Sequence, residues 1–195
     1  MQSSLMKVIT TVALLGASPL VLAGEHGDDR QPLRAVAEIH GCTDPNITGR
    51  AFLFEEPSDE GVKQVRVNIR VRGLPIGQHG VHIHEVGNCT PCGAAGGHFD
   101  PGPFGASSPD GNHPYHSGDL VNLEARGRDG RGQLNTVTSR VTLAPGPLSI
   151  FDTDGSAIII HANPDTYCPD GAVAGCAGGA RIACGIIELV NSPDD

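Results

Sequence analysis

The strongest constraint on this chain is a repeat of two. In "KQVRVNIRV" every second residue is apolar and β-branched. Val65, Val67, Ile69 and Val71 therefore leave one face of an extended strand, while polar and charged neighbours leave the other. Comparable runs are "LRAVAEIH", "AFLFEE", "GVHIHE", "DLVNLEA", "QLNTVTSRVTL", "SAIIIHA" and "RIACGIIELV". Turn clusters such as "PSDEG" and "RDGRG" separate them. With 27 glycines and 15 prolines in 195 residues, no stretch favours a long helix. Eight strand candidates predict an all-β fold, an antiparallel sandwich or barrel, in one domain.

Two connections are too long for turns, residues 86–118 and 162–180, and they hold most of the histidines and cysteines. Loops of that length without secondary structure of their own are usually functional or disordered, and this composition favours function. The formal charge of −9, with no polybasic run, argues against a nucleic-acid or lipid-binding face.

The first 23 residues read as an export signal: Lys7, an uncharged run over 8–23, then "VLA" before a polar stretch. The run is short for a membrane span and contains Pro19 and Gly16. The expected divisions are a signal peptide at 1–23, a flexible segment at 24–32, a folded domain at 33–190 and a tail at 191–195. The product would be secreted, or periplasmic in a bacterium. Cleavage after Ala23 would expose Gly24-Glu25-His26, whose amine, amides and imidazole can form a square-planar copper(II) or nickel(II) site at His26; a tail with no such role is the plainer reading. In an oxidising compartment Cys42, Cys89, Cys92, Cys168, Cys176 and Cys184 are expected in disulfides. Only "CTPC" is close-set, which argues against a zinc ribbon. "NIT" at Asn46 and "NCT" at Asn88 fit the glycosylation pattern.

His82 and His84 are two apart on a strand, so both side chains leave one face. His98 follows in a glycine-rich loop, and His161 ends the apolar run "AIIIH". Four imidazoles suit redox copper. "HPYHSGD" adds His113, His116 and Asp119, and imidazoles mixed with a carboxylate suit zinc. His79 has the opposite strand parity to His82 and reads as structural, and His40 receives no function.

These residues resemble a known family. "GQHGVHIHE", "GGHFDP", "HSGDLVNL", "IIIHANPD" and "GARIACGII" follow, in order and approximate spacing, the pattern of the copper/zinc superoxide dismutases from about Leu33 to Val190. The resemblance implies an eight-stranded antiparallel Greek-key barrel with an immunoglobulin-like sandwich architecture and two long functional loops. It implies copper and zinc as cofactors, superoxide as substrate, and a homodimer as in many relatives. It makes His82, His84, His98 and His161 copper ligands, with His98 bridging to zinc and carrying a proton in the reduced half-cycle. His116 and Asp119 become zinc ligands. Arg181 becomes the group that holds the substrate anion, and Asp165 the carboxylate linking ligands of the two metals. With no lysine in the second long loop, steering would rest largely on Arg181 and the metals.

The chain departs from the family in one place. The region "PFGASSPDG" has no histidine where the family carries a further zinc ligand, and His113 is the expected replacement. The opposing reading is a weakened or empty zinc site. The family also ties its first long loop to the last strand, which points to Cys184 with Cys92 or Cys89. The expectation is Cys92–Cys184, with Cys168–Cys176 inside the second loop and Cys42–Cys89 left over. The rival function is a non-catalytic protein that buffers copper and zinc on the same fold, disfavoured because Arg181 and the copper set are intact.

Overall fold

A computed structural model describes residues 32–57, 61–102, 113–171 and 173–190. The expected signal peptide, His26 and the tail at 191–195 lie outside these residues, as does 103–112 of the first long loop. Among the described residues nine strands form one antiparallel sheet: β1 (Arg34–Gly41), β2 (Thr48–Pro57), β3 (Lys63–Arg72), β4 (Gly77–His79), β5 (Val81–His84), β6 (Leu123–Arg126), β7 (Arg131–Thr138), β8 (Ala157–His161) and β9 (Arg181–Leu189).

Their order is β4-β6-β7-β3-β2-β1-β9-β8-β5. The two edge strands, β4 and β5, are consecutive in the chain and separated only by Gly80. The sheet must therefore curl until its edges meet at that residue, which makes it barrel-like. A side chain at Gly80 would crowd Asp165 and the Ala177 carbonyl of the second long loop, so the seam is also where that loop seats. The count of eight is corrected to nine, because "GQHGVHIHE" supplies two strands, one pairing with β6 and the other with β8.

Alternation behaves as expected in β3, where Val65, Val67 and Ile69 are fully buried. In β8 all five residues are buried, because both faces are covered. Ile158 and Ile160 enter the main core, while Ala157 and Ile159 pack with Cys92, Ala95 and Cys184 in a second cluster. The run "QLNTVTSRVTL" stops being strand at Thr138. Beyond it the chain peels away, and the buried Glu55 carboxylate accepts the backbone N–H groups of Leu143 and Ala144 instead.

The cysteine pairing corrects two expectations. Cys42 is bonded to Cys92 and Cys89 to Cys184, in place of Cys92–Cys184 and Cys42–Cys89, while Cys168 is bonded to Cys176. The reason is level along β9. The Cys92 carbonyl is held by Arg181 at the start of that strand, and Cys42 donates its N–H to the adjacent Ile182 carbonyl. Cys92 and Cys42 thus lie at one level, and Cys89 reaches Cys184 at the next.

Candidate metal centre

β5 directs Val81 and Ile83 into the core and His82 and His84 to the opposite side, beneath the two long loops. The first loop returns to β5 through an isolated bridge between His84 and His98, and Phe99 donates its N–H to the Ile83 carbonyl. Gly118 then lies so close to β5 that a Cβ there would collide with the Ile83 carbonyl, which is why "HSGD" needs its glycine. β8 is broken by a register shift between Ile160 and His161, and His161 closes the group. His82, His84, His98 and His161 are all buried, with ligand atoms within 4.8 Å of one another.

Each imidazole is oriented by a partner on its far nitrogen. His84 Nδ1 is 3.1 Å from the Gly96 carbonyl and His161 Nδ1 is 2.8 Å from the Gly179 carbonyl. A carbonyl only accepts, so both rings carry their hydrogen on Nδ1 and aim a lone pair from Nε2. His82 is reversed: its Nε2 donates to Asp165 Oδ2 at 2.8 Å, leaving Nδ1 as the free base. These three nitrogens, His82 Nδ1, His84 Nε2 and His161 Nε2, are buried with no protein partner. Buried polar atoms are rarely left so. Three orphaned imidazole nitrogens converging in one place fit a metal ion, and an all-imidazole set fits copper.

The second group centres on Asp119. His98 Nδ1 lies 2.7 Å from Asp119 Oδ1, and His116 Nδ1 lies 3.2 Å from Oδ2. His113 Nδ1 lies 3.0 Å from Oδ2, at ion-pair distance. His82, His98, His113 and Asp119 also have ligand atoms within 4.8 Å of one another. Between the groups stands Asp165, which takes His82 Nε2 on one side and His113 Nε2, 2.8 Å from Oδ1, on the other.

Electrostatics divide the two groups. Burial pushes the pKa of His82 down to about 4 and that of His161 to about 3, and holds His84 well below the ordinary value. These imidazoles are neutral bases at neutral pH. Burial also lowers His113, but the carboxylates of Asp119 and Asp165 outweigh it and raise its pKa to about 9. Burial alone would raise both acids; their histidine contacts instead hold both below the usual carboxylate range.

Arg181, half-buried at the start of β9, donates to the carbonyls of Cys92, Gly93 and Gly96. Burial lowers its pKa, while Glu85 opposes the shift. His79 is fully buried, with Nδ1 2.8 Å from the His161 carbonyl and Nε2 2.9 Å from that of Pro75. His40 stays at the end of β1, opposite Cys184.

Two residues that brace the candidate site escaped the sequence reading. Asn122 clamps Asp165 from both sides of its backbone: Nδ2 donates to its carbonyl at 2.9 Å and Oδ1 accepts its N–H at 2.8 Å. Arg140 donates to the backbone carbonyls of Pro114 and Asp119, stapling the short "HPYHSGD" segment. The asparagine in "HSGDLVNL" was the available signal for the first, and an isolated arginine gives none for the second.

A barrel whose closing strand feeds two histidine groups, joined through His98 and Asp165, defines a protein with a paired metal centre. A family model described as copper/zinc superoxide dismutase (SODC) matches residues 47–187. The chain belongs to the copper/zinc superoxide dismutase family. It is 40% identical over 159 residues to a superoxide dismutase [Cu-Zn] of Deinococcus radiodurans, a match covering 74% of this chain and 79% of that one. Among solved structures it resembles one titled for the clock protein EA4, with a TM-score of 0.64 and 29% identity over 83% of this chain and 97% of that one.

Proposed function

We infer that this chain is a superoxide dismutase that uses copper and zinc. The observation that carries the reading is the set of buried, partnerless imidazole nitrogens, each aimed inward by a hydrogen bond on its far side. Copper would be held by His82 Nδ1, His84 Nε2, His98 Nε2 and His161 Nε2. Zinc would be held by His98, His113 and Asp119, with His116 joining through its Nδ1 beside Asp119. His82 could be counted with either group by proximity. It belongs to the copper set, because its Nε2 is committed to Asp165 and its Nδ1 is the free base.

When bound, copper would take up and return one electron in turn, so that two superoxide anions and two protons yield one dioxygen and one hydrogen peroxide. The protein's own residues do the rest. Arg181 offers a fixed cation to a small anion in a chain of net charge −9. His98, flanked by both groups, is the residue able to hold a proton at Nε2 and release it to the reduced product. Asp165 keeps His82 and His113 in the tautomers that ligation needs. The three disulfides support the export reading, since such bonds persist in oxidising compartments.

The test is superoxide decay after pulse generation. Copper- and zinc-loaded protein should accelerate it, metal-free protein should not, and Arg181→Ala should slow the loaded protein. A loaded protein without activity would leave metal buffering as the function.

A further inference from the structure

Among the described residues, the only non-glycines with a positive φ are Tyr167 at 60° and Cys168 at 47°, consecutive in the second long loop. L-residues rarely adopt this left-handed conformation, and a bulky pair of them needs something to hold it. The turn has a visible consequence. It brings the Tyr167 N–H to 2.7 Å from Asp165 Oδ1, the oxygen that also takes His113 Nε2. Little apolar packing secures it. Among the described residues from 166 to 176, Tyr167 and Val173 are exposed and only Cys168 is buried, outside both core clusters. What crosses the segment is the bond from Cys168 to Cys176. The Cys176 end is seated, because its carbonyl accepts the Thr166 N–H at 2.9 Å and the Thr166 hydroxyl at 3.1 Å. The next residue, Ala177, is buried and forms an isolated bridge with Asp165 itself.

We propose that the Cys168–Cys176 disulfide positions Asp165 for zinc, by holding Tyr167 in the left-handed turn that delivers its N–H to the carboxylate. This rests on the reading of Asp165 as the group that orients His113 toward zinc. The stretches that carry the family resemblance, "IIIHANPD" and "GARIACGII", end before Cys168 and begin after Cys176, so the resemblance gives neither cysteine a role. Asn122 fixes the Asp165 backbone, but the rotation of the carboxylate is set by the donors its oxygens accept. Two of those donors, His82 and His113, are the imidazoles that Asp165 itself orients. The Tyr167 N–H is the donor that belongs to neither metal group. Without the bridge, Tyr167 and Cys168 relax toward negative φ and that N–H turns away. The carboxylate then follows its imidazoles instead of directing them. Zinc loses more than copper, because His113 lies on a loop whereas His82 is also held by β5.

The experiment measures zinc and copper affinities by competitive chelator titration of the full chain, with the unfolding midpoint of each sample. Cys168→Ser/Cys176→Ser should bind zinc roughly three- to tenfold more weakly and leave copper affinity unchanged. Glycine takes a positive φ without strain, so Tyr167→Gly/Cys168→Gly/Cys176→Ser should recover most of that zinc affinity although it also lacks the bridge. A disulfide that merely stiffened the loop would give the opposite order, because two glycines loosen it further. Tyr167→Pro removes the N–H but keeps the bridge, and it should weaken zinc as the serines do. It reads the same contact if the serine variant does not fold. Wild-type zinc affinity in the folded serine variant or in Tyr167→Pro, or no recovery with the glycines, overturns the proposal. If Asp165→Asn weakens zinc in the same series, the reading of Asp165 survives that failure. Wild-type zinc affinity in Asp165→Asn removes the reading and the proposal with it.

Discussion

The hydrogen-bond partners of His84 and His161 are backbone carbonyl oxygens, and the charges that reach them are those of neighbouring imidazoles and Arg181. Burial strips these imidazoles of their protons, and their free nitrogens have no protein partner. Around His113 and His116 the protein supplies carboxylates. His113 touches two of them and is raised to about 9, so in the metal-free chain at neutral pH it is a cation held between Asp119 and Asp165. One residue type is thus prepared in opposite ways within one centre. The half proposed for copper is a set of ready bases, while the half proposed for zinc is a charged network in which a proton must leave before a divalent ion enters. Asp165 belongs to both and is the point where they can be coupled or parted.

The largest expected effect follows from that shared carboxylate. Asp165→Asn keeps the shape but offers one acceptor oxygen where His82 and His113 now use two. Zinc affinity should fall by roughly 10- to 100-fold, and copper affinity by clearly less. Competitive chelator titrations measure both, and equal losses would mean the two halves are not prepared differently.

Acid and alkali should also part them in the metal-free protein. His82, His84 and His161 have lowered folded-state pKa values. Their contribution to stability is therefore full above about 6.5 and is lost as pH falls toward the values near 4 and 3. His113 is raised, so its contribution is full below about 6.5 and is lost as pH climbs through about 9. Stability should peak near neutrality, with the steeper limb on the acid side, where three imidazoles take up protons against one lost in alkali. Denaturant midpoints across this range test it, and a flat profile would contradict the division.

The smallest effect belongs to the staple at the surface. Arg140→Ala frees the carbonyls of Pro114 and Asp119 and should weaken zinc by about threefold. Copper should be untouched, and an equal change at copper would move Arg140 out of the zinc half.

How much of this was legible in the sequence depended on the range of the cause. Strand parity is local, so the common face of His82 and His84, and the buried side of β3, could be read directly. Where a strand ends is less local. "QLNTVTSRVTL" reads as continuous, yet Glu55 from β2 captures the backbone after Thr138. The cysteines lay furthest from reach. Cys89 and Cys92 are three residues apart and either can face β9; the choice is made by Arg181 gripping the Cys92 carbonyl, a contact between residues 89 positions apart. Asn122 and Arg140 escaped for the same reason, since both act on backbone atoms brought near by the fold.

The most direct test of the divided centre is the metal content of His113→Ala beside the wild type, by native mass spectrometry under nonreducing conditions. The account predicts one copper and one zinc in the wild-type subunit, and copper without zinc in the variant. Zinc retained at full occupancy in His113→Ala, or a wild type that holds copper alone, would contradict it.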